Sequence, residues 1–183
     1  KKLRDDEAVV TVVDTRSYMT YQPFLPEAAG GAVSPRHVVV PLRRVLRGAE
    51  IVTGKVTEVR HAARTATVQP LEGDPFELEY DHLVMAVGAV SRTLPIPGLA
   101  EWATGFKTVE EAIQLRNRVL ECLDIAESTQ SPEIRERNLN FVVVGGGYAG
   151  VEALAELEDM ARYAARYYPS ITPDDVKFHL VEA

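Results

Sequence analysis

A single cysteine, Cys122, stands in this chain of 183 residues. No disulfide can therefore form within it, and no CxxC zinc or redox motif is present. Cys122 falls in a helical stretch and reads as a small buried residue rather than a reactive thiol. No apolar run approaches the roughly 20 residues needed to span a bilayer. The opening KKLRDDEAVV has two lysines but no apolar core of signal-peptide length. Positive charge is not in excess: 20 Lys+Arg against 27 Asp+Glu leave a formal charge of −7. Nucleic acid would need a basic stripe, which this balance argues against. The four histidines do not cluster at metal-ligand spacing, so no metal site is expected. With 46% hydrophobic and 26% charged residues, what remains is the composition of a soluble globular protein able to build a packed core. Its length suits one ordinary domain or two small ones. A cytoplasmic protein, or one on the cytoplasmic face of a membrane, is the expectation.

Along the chain the hydrophobic period changes several times. Residues 8–13, AVVTVV, form an apolar β-branched run closed by Asp14 and read as a buried strand of a parallel sheet. Residues 15–35 hold Pro23, Pro26, Pro35 and Gly30-Gly31 and read as loop-rich, and 41–48, PLRRVLRG, as a short helix. Residues 50–60, 65–69 and 76–80 include alternating stretches, with the turn signal Glu72-Gly73-Asp74-Pro75 before the last, and predict an antiparallel meander. Residues 82–88, HLVMAVG, return to an unbroken apolar run and predict a buried strand. From Thr108 the period is helical, opened by a Thr108/Glu111 capping box. Val109, Ala112, Ile113, Leu115, Val119, Leu120, Leu123 and Ile125 give it a broad apolar face. The polar break at 128–132 is the expected hinge. A strand at 141–144, a helix from Gly150 to about Tyr168, and a strand at 176–181 closed by Glu182 follow.

The stretch FVVVGGGYAGVE carries the chemistry. Its glycines fall as Gly145-x-Gly147-x-x-Gly150, between an apolar strand and an amphipathic helix. The first permits the tight turn, the second lets the backbone approach a pyrophosphate, and the third lets the helix pack closely on the strand. The helix N-terminus offers unpaired N–H groups and a partial positive charge to phosphate. Gly146, Tyr148 and Ala149 complete the turn. An acid at the end of the next strand should take ribose hydroxyls, and Glu182 stands there. It lies farther from the turn than usual, because RYYPSITPDD reads as an insertion after the helix. Such an acid favours NAD over NADP, since it would repel a 2′-phosphate. Asp14 closes its strand in the same way, with no glycine turn before it. The chain is therefore expected to be a fragment that lacks the first βα unit of one site.

Together these segments resemble the type II NADH dehydrogenases, single-chain FAD-dependent NADH:quinone oxidoreductases of the two-dinucleotide-domain flavoprotein superfamily. The likeness rests on the strand closed by Asp14, YQPFLPEAAGGAVSP, YDHLVMAVGAVSRTLPIPGL, KTVEEAIQLRNRVL and FVVVGGGYAGVE, and covers nearly the whole chain. Tyr148-Ala149 stands where many members have Pro-Thr. The resemblance implies an α/β chain of two Rossmann-like, three-layer ββα domains, both incomplete. Residues 1–107 would be an FAD-binding domain with a small antiparallel β-meander, and 108–183 the start of an NADH-binding domain. It implies that Asp14 holds the FAD adenosine ribose, that Val56 lies near the adenine, and that Ala86, Val87 and Gly88 run along the FAD. Gln22 falls in the segment that approaches flavin and quinone, and Glu152 near where nicotinamide meets flavin. Disulfide reductases of the superfamily carry redox cysteines soon after the Asp14-like acid or just before the second glycine motif. Here neither place has one, which leaves the flavin as the redox centre. Hydride would pass from NADH to FAD and on to a quinone or other acceptor, in a full-length homodimer with peripheral membrane association through regions outside this chain. Another FAD/NAD(P)-dependent reductase of the superfamily, or a non-catalytic NAD-binding module, are the alternatives.

Overall fold

The computed structural model describes residues 7–90 and 94–182. The chain is α/β with a mixed sheet and divides into two compact units. The first comprises residues 1–19 and 39–88, and the second residues 20–38 and 89–183. Residues 20–38 belong with the second unit although they follow the first strand in sequence.

The first unit is built on a four-stranded sheet. Strand β1 (Thr11–Asp14) is followed by the short β2 (Tyr18–Thr20), which pairs with β3 (Val39–Pro41) in a separate two-stranded ribbon. β1 lies parallel to the long β4 (Glu50–Arg60), with Asp14 opposite Thr53. β4 then pairs antiparallel with β5 (Thr65–Pro70), and β5 with β6 (Phe76–Glu79), in the order β1-β4-β5-β6. The expected meander is present, and the parallel pairing of the first strand is as expected. The period-2 pattern fixes its faces, with Ala66 and Val68 buried on β5. A register shift between Val56 and Glu58 marks an irregularity of β4.

Two expectations for this unit are corrected. The run at 8–13 is not buried: β1 sits at the sheet edge, and Val9 and Val10 are exposed. Residues 82–88 form no strand, and Leu83, Val84, Met85 and Val87 are all exposed. An unbroken apolar run becomes a buried parallel strand only when neighbouring strands supply a ladder on both sides. Among the described residues none pairs with this one. The helix expected at 41–48 is reduced to a single turn, α2 (Leu42–Val45), anchored by buried Leu42.

The second unit is mainly helical. Between β2 and β3, where prolines and paired glycines predict loop, runs helix α1 (Leu25–Gly30), and after residue 93 comes the one-turn α3 (Leu99–Trp102). Helix α4 (Val109–Ser128) opens with the expected capping box: the Glu111 N–H donates to Thr108 Oγ1, and the Thr108 N–H to the Glu111 carboxylate. Its buried residues Val109, Ala112, Val119, Cys122, Leu123 and Ala126 form one stripe at helical spacing. After a tight corner come α5 (Pro132–Asn138), β7 (Asn140–Val144), α6 (Tyr148–Ala165) and β8 (Lys177–Val181).

That corner is no hinge. Ser131 caps α5 by accepting from the Ile134 N–H at 3.3 Å, and Arg135 donates to the Ala126 carbonyl at 3.0 Å. β7 and β8 pair in parallel, Asn140 opposite Lys177 through Val144 opposite Val181. Helix α6 buries Ala153, Leu157, Ala161 and Ala165 at steps of four, against which α1 and α4 pack. The expected insertion between α6 and β8 is fixed rather than loose. Ile171 and Val176 are buried, the Tyr168 hydroxyl donates to Asp124 at 2.7 Å, and Ser170 donates to Glu127 while accepting from Arg135.

Candidate functional site

The glycine turn sits where β7 ends and α6 begins. Gly145 continues the ladder, donating its N–H to the Val181 carbonyl at 2.8 Å, and then turns the chain with φ of 111°. That value lies in the region a side chain disfavours. Gly147 is the N-cap of α6, with extended dihedrals and no side-chain cap. Gly150 is required for a different reason. A Cβ there would lie 2.0 Å from the Gly145 carbonyl oxygen, so the helix can start this close to the strand only with hydrogen at that position. At Gly147 the situation is reversed: a Cβ would meet nothing within 4 Å. The three glycines thus separate into a bend, an open floor and a close contact.

The first turn of α6 carries no acidic residue. An 18-residue helix starting here concentrates partial positive charge and unpaired N–H groups at the mouth of the turn. Tyr148, at the first helical position, is 92% exposed and so does not close that mouth. Glu182 follows β8 directly, and its carboxylate accepts a hydrogen bond from the Gly146 N–H. A Cβ on Gly146 would come within 3.2 Å of the same carboxylate oxygen. Gly145, Gly146, Gly147, Tyr148, Ala149, Gly150 and Glu182 therefore come together at one end of the β7–β8 pair. Thirty-two residues separate Gly150 from Glu182 in sequence, and the parallel pairing closes that gap.

Glu152 lies on α6 just beyond the turn and is exposed. Gln22 begins a short 3-10 turn, Gln22–Phe24, that leads directly into α1. Its side-chain amide donates to the Lys107 carbonyl at 3.2 Å, next to the capped start of α4. In the first unit, Asp14 ends β1 and accepts from the Arg16 N–H at 2.8 Å. Val56 lies on the adjacent β4, at its register shift, and is 41% exposed. Ala86, Val87 and Gly88 are on an exposed segment outside any helix or ladder.

Two features were not read from the sequence. Helix α1 packs against α4 and α6. Leu25-Pro26-Glu27-Ala28-Ala29, with proline in the first turn and good helix formers after it, carried the local signal for a helix start. Within it, one carboxylate oxygen of Glu27 is buried with no hydrogen-bond partner among the described residues. No signal in the sequence foretold that.

A strand, a glycine turn that admits a close backbone approach, a helix and a strand-end acid define a dinucleotide-binding class of protein. The chain belongs to the pyridine nucleotide-disulphide oxidoreductase family, whose sequence profile matches residues 1–183. Its likeness to the type II NADH dehydrogenases is borne out by its relatives. It is 34% identical, over its whole length and 33% of the relative's, to an external alternative NADH-ubiquinone oxidoreductase of Yarrowia lipolytica mitochondria. It is 31% identical to the type II NADH:quinone oxidoreductase Ndh of Mycobacterium tuberculosis, over 91% of this chain and 36% of that one. The structure of NDH2 from Plasmodium falciparum in complex with NADH superposes with a TM-score of 0.89 at 27% identity, covering 97% of this chain and 37% of that chain. The chain thus spans about a third of the length of the curated relatives it matches.

Proposed function

We propose that the protein containing this chain is an FAD-dependent NADH dehydrogenase that delivers electrons to a quinone. The observation that carries this reading is the glycine turn with Glu182 bonded to it, on a chain whose relatives bear NADH:quinone oxidoreductase names. In this reading residues 1–107 belong to an FAD-binding domain and 108–183 to an NADH-binding domain, both Rossmann-like and incomplete. Peripheral membrane association and a homodimer are properties of the full-length protein; among the described residues no helix is long and apolar enough to cross a membrane.

The residues fit the nucleotides. Open space above Gly147 leaves room for a pyrophosphate, whose charge the start of α6 stabilises. Glu182 accepts from the ribose hydroxyls of NADH while Gly146 keeps it in place. Asp14 does the same for FAD, steadied by the Arg16 N–H. Val56 lies beside the adenine, and Ala86 to Gly88 run along the FAD, where Gly88 has φ of 68° and space above its Cα. The unpartnered oxygen of Glu27 supports a donor being received beside α1. FAD held at Asp14 and residues 86–88 would supply the redox chemistry between a nicotinamide and a quinone. The part of the protein is to position the rings and exclude water. Glu152 and Gln22 are the side chains assigned to the region where nicotinamide, flavin and acceptor meet.

Purified complete protein is expected to show a flavin absorbance band and NADH-driven quinone reduction. Protein that binds NADH but no flavin would instead be a binding module, and absence of turnover with any quinone would remove the type II assignment. Gly147→Val is expected to abolish NADH binding, because its side chain fills the pyrophosphate space; normal binding in calorimetry would refute the turn assignment.

A further inference from the structure

Gly30 and Gly31 end α1 for two different physical reasons. Gly31 is the left-handed C-cap, with φ of 85° and nothing within 4 Å of a Cβ. Gly30 has ordinary helical dihedrals, and its need for glycine comes from outside. A Cβ there would meet the Glu156 carboxylate at 2.7 Å, the Glu156 backbone carbonyl at 3.0 Å and the Glu156 Cβ at 3.1 Å. The carboxylate can swing aside, but the backbone of α6 cannot. Glycine at 30 therefore lets the end of α1 touch the backbone of α6, and Ala28 and Ala29 are fully buried beside it.

The place of this contact matters. Glu156 is one helical turn after Glu152, so both lie on one face of α6. At its other end α1 continues directly from the turn Gln22–Phe24, and Gln22 is tied to the Lys107 carbonyl. We propose that Gly30 is a positioning residue: it sets the spacing between the Gln22–Phe24 segment and the α6 face that carries Glu152. This rests on the reading that those two residues flank the reacting rings. A methyl at position 30 must move the contact from 3.0 Å to an ordinary separation of about 3.5 Å. Near-attack geometry loses about a hundredfold in rate per ångström of misplacement, so half an ångström gives a loss of roughly tenfold.

The test uses the complete protein and three variants: Gly30→Ala, Gly31→Ala and Gly30→Ala combined with Glu156→Ala. Wild-type protein without flavin or NADH oxidation would remove the functional reading itself, before any variant is compared. Given an active wild type, Gly30→Ala is expected to slow flavin reduction by NADH about tenfold in single turnover. Affinity of the flavin-loaded protein for NAD, which cannot reduce the flavin, is expected to stay unchanged in calorimetry, since the glycine turn is untouched. Gly31→Ala strains the cap and lowers the melting temperature, yet is expected to keep the wild-type rate. The double variant relieves the tightest contact but keeps the backbone one, so it folds more readily and is expected to show the same slowing. A wild-type rate in either Gly30 variant, or equal slowing in Gly31→Ala, overturns the proposal. So does failure of both Gly30 variants to fold beside a folded Gly31→Ala, which would make the residue part of the core alone.

Discussion

The Glu182 carboxylate accepts from the Gly146 N–H, which commits one acceptor position and leaves others open, on the proposed reading for ribose hydroxyls. A charge fixed in this way cannot swing clear of a 2′-phosphate without losing its own hydrogen bond. Glu182→Gln keeps an acceptor but removes the charge. Hydrogen bonds to charged groups are worth about 1.5–3 kcal/mol, so NADH affinity is expected to fall roughly tenfold or more, with a smaller loss for NADPH. An unchanged NADH-to-NADPH affinity ratio in parallel titrations would defeat the assignment. At this scale the sequence was most legible. Gly145, Gly147 and Gly150 could be read because their constraint is local: a bend, an open floor and a contact, all within six residues. The bond from Gly146 to Glu182 could not be, because it depends on how the end of β8 falls beside the turn.

Among the elements, the corner after α6 is anchored to α4 by side-chain hydrogen bonds. Burial pushes the Tyr168 hydroxyl up to about 12 from its ordinary 10, and the hydrogen bond to Asp124 and the nearby Asp124 and Glu127 charges act in the same direction. Because the folded value is raised, the stability this phenol contributes is complete below about pH 10 and is lost as pH rises through about 12. Tyr168→Phe is expected to remove one high-pH phenol transition from the near-ultraviolet titration and to flatten the fall of melting temperature over that range. A transition lost near pH 10 instead would show that burial and the Asp124 bond do not hold the proton. Elements were legible where the period was strong and local, as in α4 with its capping box. The apolar run at 82–88 read as a buried strand because composition cannot report whether a ladder partner is present. Helix α1 was missed because prolines and paired glycines masked it, and its place beside α6 is a long-range packing fact.

For the whole molecule, the α/β class and its family were legible, since alternating strands and helices around one glycine turn leave few arrangements. The packing of residues 20–38 with elements far along the chain was not, because it is set by long-range contacts. Parallel strands are normally covered on both faces, yet one face of the β7–β8 pair exposes Val142, Val144 and Val181. In register they form a cluster around His179. The isolated 183-residue chain is therefore expected to self-associate through this face. Val142→Lys with Val144→Lys should shift it toward monomer in light scattering, at a stability cost below about 0.5 kcal/mol per exposed site. Unaltered association would place the sticky surface elsewhere, on the exposed run at 82–88 or the edge of β1.

The bond between Gly146 and Glu182 also governs how such a site can drift over generations. A methyl on residue 146 would crowd the carboxylate at 3.2 Å, and loss of the carboxylate would leave the Gly146 N–H without its acceptor. Position 146 is thus the more constrained of the two, because a change at 182 can keep an acceptor for it. On the proposed reading, a lineage moving toward NADPH would change position 182 first, since any side chain at position 146 meets the carboxylate for as long as Glu182 is present.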